Sequence, residues 1–288
     1  MARARTVLVL LLSLLSMPVW AASEPPDWSM EQAEGLSGEE QLELGLAHVA
    51  LKRFEDARDW FESSAAAGES RAKLNLGWLH EEGLLGAVDG SAAVHWYTRG
   101  VLAGESGYAT KLAWIHLQGR LVEADLAAAE AWFEHAIDAG HPEAKLGLGS
   151  VVLAEVMGGD LKRIDEALML FEAALADGLM LGSYYLGRIY REGLGMASDH
   201  ALALRYFEVG AQAGLADVQW RLGEMYAEGA GTERDLVQAA KWAYLAAANG
   251  ASESLALIQE VERRLDADEL AEARRLAWVA AGGAVREQ

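Results

Sequence analysis

The sequence contains no cysteine and only 4 prolines among its 288 residues. The absence of cysteine excludes disulfides and thiolate metal sites. A low proline content favours helices, because proline breaks them, and the 30 glycines can end those helices. Basic residues are also scarce, because 24 Lys and Arg stand against 44 Asp and Glu, which gives a formal net charge of −20. Such a surface repels nucleic-acid phosphates and anionic membranes, so a general nucleic-acid role is excluded.

The N-terminus has the order of a secretory signal. The residues MARAR are basic, TVLVLLLSLLSMPVW is an apolar run too short to span a membrane comfortably, and Val19 and Ala21 are small. This order predicts a signal peptide over residues 1–21, with an uncleaved anchor as the alternative. Residues 22–38, which include Pro25 and Pro26, are predicted to be a linker. The expected location is the bacterial periplasm or the extracellular space, with no integral membrane segment after cleavage.

The rest of the chain repeats at intervals of 36 or 38 residues. One glycine column follows runs of small residues, a Leu-Gly pair or its variant lies eight residues later, and an alanine column precedes an aromatic column by three positions. The glycines are Gly68, Gly104, Gly140, Gly178, Gly214 and Gly250. Columns in step over about seven units predict a repeat array. Each unit is expected to be a helical hairpin, with Leu-Gly on helix A and the Ala-x-x-aromatic set on helix B.

The turn between helix A and helix B has its own pattern, as in YREGLGMASD and YAEGAGTERD. Its glycines permit positive φ. An aspartate then stands four residues before the alanine column, where its carboxylate can accept N–H groups at the start of helix B. These aspartates are Asp89, Asp125, Asp199 and Asp235. The helix-B tryptophans, which we expect in the hairpin core, are Trp60, Trp96, Trp132, Trp242 and Trp278.

Together these columns read A-x-x-x-L-G-x-x-Y-x-x-G-x-G-x-x-x-D-x-x-x-A-x-x-W-Y-x-x-A-A-x-x-G, which resembles the Sel-1-like repeat, a longer-looped relative of the tetratricopeptide repeat. The resemblance implies an all-α right-handed superhelical solenoid of about seven helical hairpins. Repeats are expected over 39–250 and a charged capping repeat over 251–288. The unit at 141–178 is degenerate, because it has a two-residue insertion and no aspartate in register.

Catalytic and metal-binding motifs are absent from the sequence. It has no G-x-S-x-G, Walker loop, H-E-x-x-H or dinucleotide fingerprint. His48, His80 and His116 share one column, but neighbouring helices pack about 8–10 Å apart, too far for equivalent side chains to share one ion easily. We therefore expect core or half-buried histidines, no metal, no cofactor and no catalytic residue.

In tetratricopeptide-like stacks, helix A lines the concave surface, and this resemblance implies a partner-binding groove on helix A. Carried over by position, its residues are Leu74, Trp78, Trp114, Leu117, Tyr184, Arg188, Arg191 and Trp220. The two arginines are expected to hold a partner's carboxylate. The alternative is that the aromatic side chains pack between neighbouring units.

The resemblance favours a non-enzymatic scaffold or adaptor in the bacterial envelope, with a protein or peptide as its partner. Two alternatives remain open. One is a β-lactam-binding or hydrolysing enzyme, as in a cysteine-rich branch of the family, although this chain has no cysteine. The other is a structural spacer, which would tolerate substitution of every groove residue.

We predict that the exported protein is cleaved after Ala21, because a basic, an apolar and a small-residue segment follow one another in that order. Mass spectrometry of protein recovered from the periplasm measures its N-terminus directly. Recovery of a chain that still begins at Met1 would contradict the prediction.

Overall fold

A computed structural model describes residues 35–282, so the predicted signal peptide lies outside the described residues. The helices of this range are α1 (Gly38–Ala50), α2 (Phe54–Ala66), α3 (Ser70–Glu81), α4 (Gly90–Leu102), α5 (Ala109–Gln118), α6 (Leu126–Asp138), α7 (Ala144–Gly158), α8 (Ile164–Ala176), α9 (Leu181–Glu192), α10 (His200–Gln212), α11 (Ala216–Glu228), α12 (Leu236–Ala248), α13 (Ser254–Glu262) and α14 (Ala267–Ala280). Short 3₁₀ turns precede α5 and α8. The predicted all-α array of hairpins is confirmed.

The described residues form two compact units, which divide between Ala128 and Ala129. In the first unit, α1 pairs with α2 and α3 pairs with α4. In the second unit, the pairs are α7 with α8, α9 with α10, and α11 with α12. The terminal helices α13 and α14 both pack on α12, where their apolar residues share one cluster with its alanines. Each unit is thus held together by contacts between helices that are close in sequence.

A ring of helix B lies against the Leu-Gly glycine of helix A in four hairpins. These pairs are Phe61 on Gly45, Tyr97 on Gly77, Phe171 on Gly149 and Phe207 on Gly187. All four rings are fully buried. A Cβ atom at Gly187 would lie 2.4 Å from a ring carbon of Phe207, which is closer than carbon atoms approach one another. The glycine is therefore required because its missing side chain makes room for the ring.

The helix-B tryptophans are not the core column that we expected. Trp60 and Trp242 are buried, but Trp96 and Trp132 are half-buried, and Trp278 is 53% exposed. The residue after Trp60, Trp96 and Trp132 is fully buried in the hairpin interior, as Tyr97 is after Trp96, whereas Val279 after Trp278 is exposed. Successive helical residues differ by about 100° in direction, so only one of two neighbours can point at the glycine.

The predicted aspartate caps are confirmed. The carboxylates of Asp89, Asp199 and Asp235 each accept a hydrogen bond, 2.9 Å long, from the backbone N–H three residues later. Asp125 does the same at 3.0 Å. The backbone N–H of each aspartate also donates to a carbonyl near the end of helix A, so that one residue closes the turn at both ends.

The turn also packs closely on the start of an earlier helix B. Gly231, at φ +77°, would place a Cβ atom 2.2 Å from the carbonyl oxygen of His200. The corresponding turn position in the first unit is Leu121, and there the glycine is on the other side of the contact. A Cβ atom at Gly90 would lie 1.8 Å from the Leu121 carbonyl oxygen. Close approach therefore requires a glycine on one side or the other.

The degenerate repeat at residues 141–178 still forms a hairpin, α7 with α8. Arg163 stands at the position of the missing aspartate. Its side chain makes no capping hydrogen bond to the start of α8 and instead binds three glutamates. Its guanidinium contacts Glu130 at 2.6 Å and Glu166 at 2.7 Å, and it also pairs with Glu155. These hydrogen bonds raise the pKa of Arg163. An ion cluster linking α6, α7 and α8 thus stands in for the usual capped turn.

We predict different effects on the free energy of unfolding for two Gly→Ala substitutions in helices of the second unit. Gly187→Ala should lower the free energy of unfolding by about 1–3 kcal/mol, because the new methyl group meets the Phe207 ring. Gly158→Ala has no atom within 4 Å of its new methyl group and should be neutral or stabilise by up to about 1 kcal/mol, through higher helix propensity. Urea unfolding followed by circular dichroism measures both. Equal effects would contradict the ring-on-glycine account.

Candidate binding surface on helix A

We use "helix-A face" for the eight residues predicted to bind a partner, and the two units contain four of them each. In the first unit Leu74, one of the predicted binding residues, is buried. It is only 7% exposed, and its side chain fills the space above Gly100 on α4, where a Cβ atom would come within 2.4 Å of it. Its position on helix A is correct, but it points towards helix B of the same hairpin.

Trp78, Trp114 and Leu117 are half-buried. Trp78 packs against the buried cluster of hairpins one and two, which includes Leu76 and Leu79. Its ring therefore contributes to packing between neighbouring units, as the alternative interpretation expected, while part of it remains accessible. That Trp78 and Trp114 stand about 10 Å apart on one face stays a prediction.

A partly buried polar cluster joins α3, α4 and α5 in the first unit. The hydroxyl of Tyr97 donates to the Glu81 carboxylate, and the Lys111 ammonium donates to Glu81 at 2.5 Å and to the Tyr97 oxygen at 3.0 Å. The ammonium also lies 4.6 Å from the Tyr97 ring centroid. Burial and then the nearby Glu81 charge raise the pKa of Tyr97 well above its usual range. The Lys111 ammonium on α5 is thus paired with the Glu81 carboxylate on α3.

In the second unit the two predicted arginines already have acidic partners. Arg188 pairs with Glu192 one turn later on α9, at 3.1 Å. Arg191 reaches the next helix A and pairs with Glu224 at 3.0 Å and Glu228 at 3.2 Å. Carboxylates of the chain itself therefore already pair with both arginines, and the binding of a partner's carboxylate by Arg188 or Arg191 stays a prediction.

The same surface holds an arginine that sequence reasoning missed. Arg221 on α11 is half-buried, and its guanidinium carbon lies 5.4 Å from the Tyr184 ring centroid and 5.1 Å from the Trp220 ring. Both rings are predicted binding residues, and both are half-buried against apolar clusters. The structure therefore brings Tyr184 and Trp220 together around a cation.

The described residues show no arrangement for a metal. Within residues 35–282, no group of three His, Asp or Glu side chains is placed to hold an ion. In the histidine column, His48 is buried, and His80 and His116 are half-buried, as expected. Over the same range, no helix has both the length and the apolar character needed to cross a membrane.

The Sel1 repeat family model matches residues 51–69, 70–105, 108–141, 181–215 and 216–250, which together make up more than half of the chain. The chain belongs to the Sel1 repeat family. The matches omit the degenerate repeat at residues 141–178 of this Sel1 repeat protein, although it folds as a hairpin. They also omit the terminal helices α13 and α14.

Two solved structures support the same fold for this Sel1 repeat protein. A protective antigen present in uropathogenic Escherichia coli strains, which displays an SLR fold, is 27% identical with a TM-score of 0.67. The match covers 88% of this chain but 55% of that antigen, so the chain spans about half of its length. A Sel1 repeat protein from Oxalobacter formigenes is 22% identical, with a TM-score of 0.59 and coverage of 86% and 98%. No curated protein sequence matches the chain.

Proposed function

We propose that this Sel1 repeat protein is a non-enzymatic scaffold that binds a segment of a partner protein on its helix-A face. Sel1 repeat proteins generally act as protein–protein interaction scaffolds, which supports the broad class of function. The observation that supports this particular face is that each unit has half-buried residues at these helix-A positions, namely Trp114 and Leu117 in the first unit and Tyr184 and Trp220 in the second. Aromatic side chains that are held rigidly and remain partly open are the usual anchors of protein interfaces.

The enzymatic alternative has less support. The Sel1 repeat fold is typically a non-catalytic scaffold. The β-lactam-directed branch has repeats that carry paired cysteines, and this sequence contains none. We therefore propose a binding protein that acts in the periplasm or outside the cell, where the predicted signal peptide would deliver it.

The surface strongly restricts which partners can approach. A net charge of −20 repels acidic proteins at long range, and this repulsion weakens beyond about 10 Å in ordinary salt. A binding segment must therefore gain its affinity from apolar contacts with the rings, together with local charge pairing. The helix-A face provides both within a few turns of α9 and α11.

Site-specific photo-crosslinking tests the proposal. We expect a photoreactive phenylalanine at Leu117 or Arg188 to cross-link a partner segment in cells, with mass spectrometry identifying the same protein from both positions. The matched controls are Leu102 and Met169, which are 71% and 69% exposed on B helices of the first and second unit. Cross-links from the controls alone would place recognition elsewhere. No cross-link from any position would favour a structural spacer.

A further inference from the structure

Arg221 has no acidic partner in the part of the chain that the structure describes. The other arginines of its surface, Arg188 and Arg191, are neutralised by glutamates. Arg221 instead makes cation–π contacts with two aromatic rings, and its Nε atom is buried without a hydrogen-bond partner. Its terminal nitrogens are not sealed off in the same way. The terminal N–H groups therefore remain open to an acceptor from a partner, and a charged donor gains most from an ionised acceptor.

A comparison of two repeats shows what is missing. Lys111 and Arg221 occupy the same repeat position, two residues before the column of the Leu-Gly glycine. Lys111 binds the carboxylate of Glu81, and the position that corresponds to Glu81 is Arg191. The hydroxyl of Tyr97, which also contacts Lys111, is likewise absent, because the corresponding residue is Phe207. The second unit thus retains the cation but has neither of the internal oxygens that satisfy it.

The aromatic rings hold the guanidinium ready for a ligand. Cation–π contacts with Tyr184 and Trp220 restrict the arginine side chain, so a bidentate pair with a carboxylate would lose little further conformational freedom. Apolar surface lies on both sides of the charge. An acidic side chain within a peptide would therefore gain ring contacts from the residues before and after it, whereas a chain end would leave one ring unused.

We propose that Arg221 binds the carboxylate of an Asp or Glu side chain in a partner segment whose neighbouring residues are apolar. This proposal rests on the proposed function, since it specifies which ligand the helix-A face of the second unit accepts. The carboxylate supplies the acceptor that Glu81 supplies to Lys111 in the first unit. Because the chain as a whole is strongly acidic, an acidic segment is favoured only where its charge meets a cation such as Arg221, which has no acidic partner among residues 35–282.

The test uses three capped peptides and the intact mature protein. Acetyl-Leu-Glu-Leu-amide presents a side-chain carboxylate, acetyl-Leu-Gln-Leu-amide is its neutral match, and acetyl-Leu-Gln-Leu with a free C-terminus moves the charge to the chain end. Heteronuclear NMR of the arginine Nε–H groups reports binding at the site itself, and the Arg221 resonance is identified by its loss in Arg221→Gln. We expect the Glu peptide to shift that resonance saturably, with about tenfold higher affinity than the neutral peptide and higher affinity than the free-end peptide.

Two variants serve as controls. Arg221→Lys keeps the charge but loses the fork and should weaken the Glu peptide, whereas Arg205→Gln, at an exposed arginine on α10, should leave its affinity unchanged. Equal affinity for the Glu and Gln peptides, or no shift with any peptide, would overturn the proposal, and neither result depends on a variant that might misfold. Tighter binding of the free-end peptide would overturn the assignment to a side chain. The cross-linking result would still judge the scaffold function separately.

Discussion

The close contact between a ring on helix B and the Leu-Gly glycine on helix A is the constraint on which four of the hairpins depend. A ring at Phe207 can be fully buried only because Gly187 has no side chain, and the same is true of Phe171 and Gly149. A large apolar side chain buried in this way stabilises by about 1.5–3 kcal/mol relative to an exposed one. Because every such pair lies within one hairpin, stability is distributed along the array, as expected of repeat proteins.

Once the glycine contact fixes the two helices, the other functions of the repeat are divided among separate surfaces. The aspartates cap the start of helix B and close the turn that precedes it. This turn packs on an earlier helix B. Other positions of helix A do not take part in these two contacts, and their residues vary from one repeat to the next. Glu81 in one unit and Arg191 in another occupy the same position with opposite charge. Variation of this kind is what allows a uniform scaffold to recognise a particular partner.

Much of the fold follows from the sequence because its signals are local. The spacing of glycine and alanine columns gives the hairpins, and the aspartates give the start of helix B. Which ring is buried was mispredicted, since Trp96 and Tyr97 are both aromatic and only the direction towards Gly77 distinguishes them. The cluster around Arg163 was also not predictable, because its glutamates come from three different helices.

The surroundings of the predicted binding residues were harder to predict, for a related reason. Whether an arginine is available depends on the acids of neighbouring helices, and Arg191 meets Glu224 and Glu228 only after folding. The contacts of Arg221 with the rings of Tyr184 and Trp220 likewise depend on the folded arrangement of α9 and α11. A comparison of Lys111 with Arg221 at one repeat position was the signal in the sequence that would have indicated it.

A double-mutant cycle on Gly187 and Phe207 measures the central contact most directly. The two single substitutions, Gly187→Ala and Phe207→Leu, are combined, and the free energy of unfolding of all four proteins is determined in urea. The account predicts a favourable coupling of about 1–2 kcal/mol, because the smaller side chain makes room for the added methyl group. Additive effects, with a coupling near zero, would contradict it, since the glycine would then be present for a reason other than the ring.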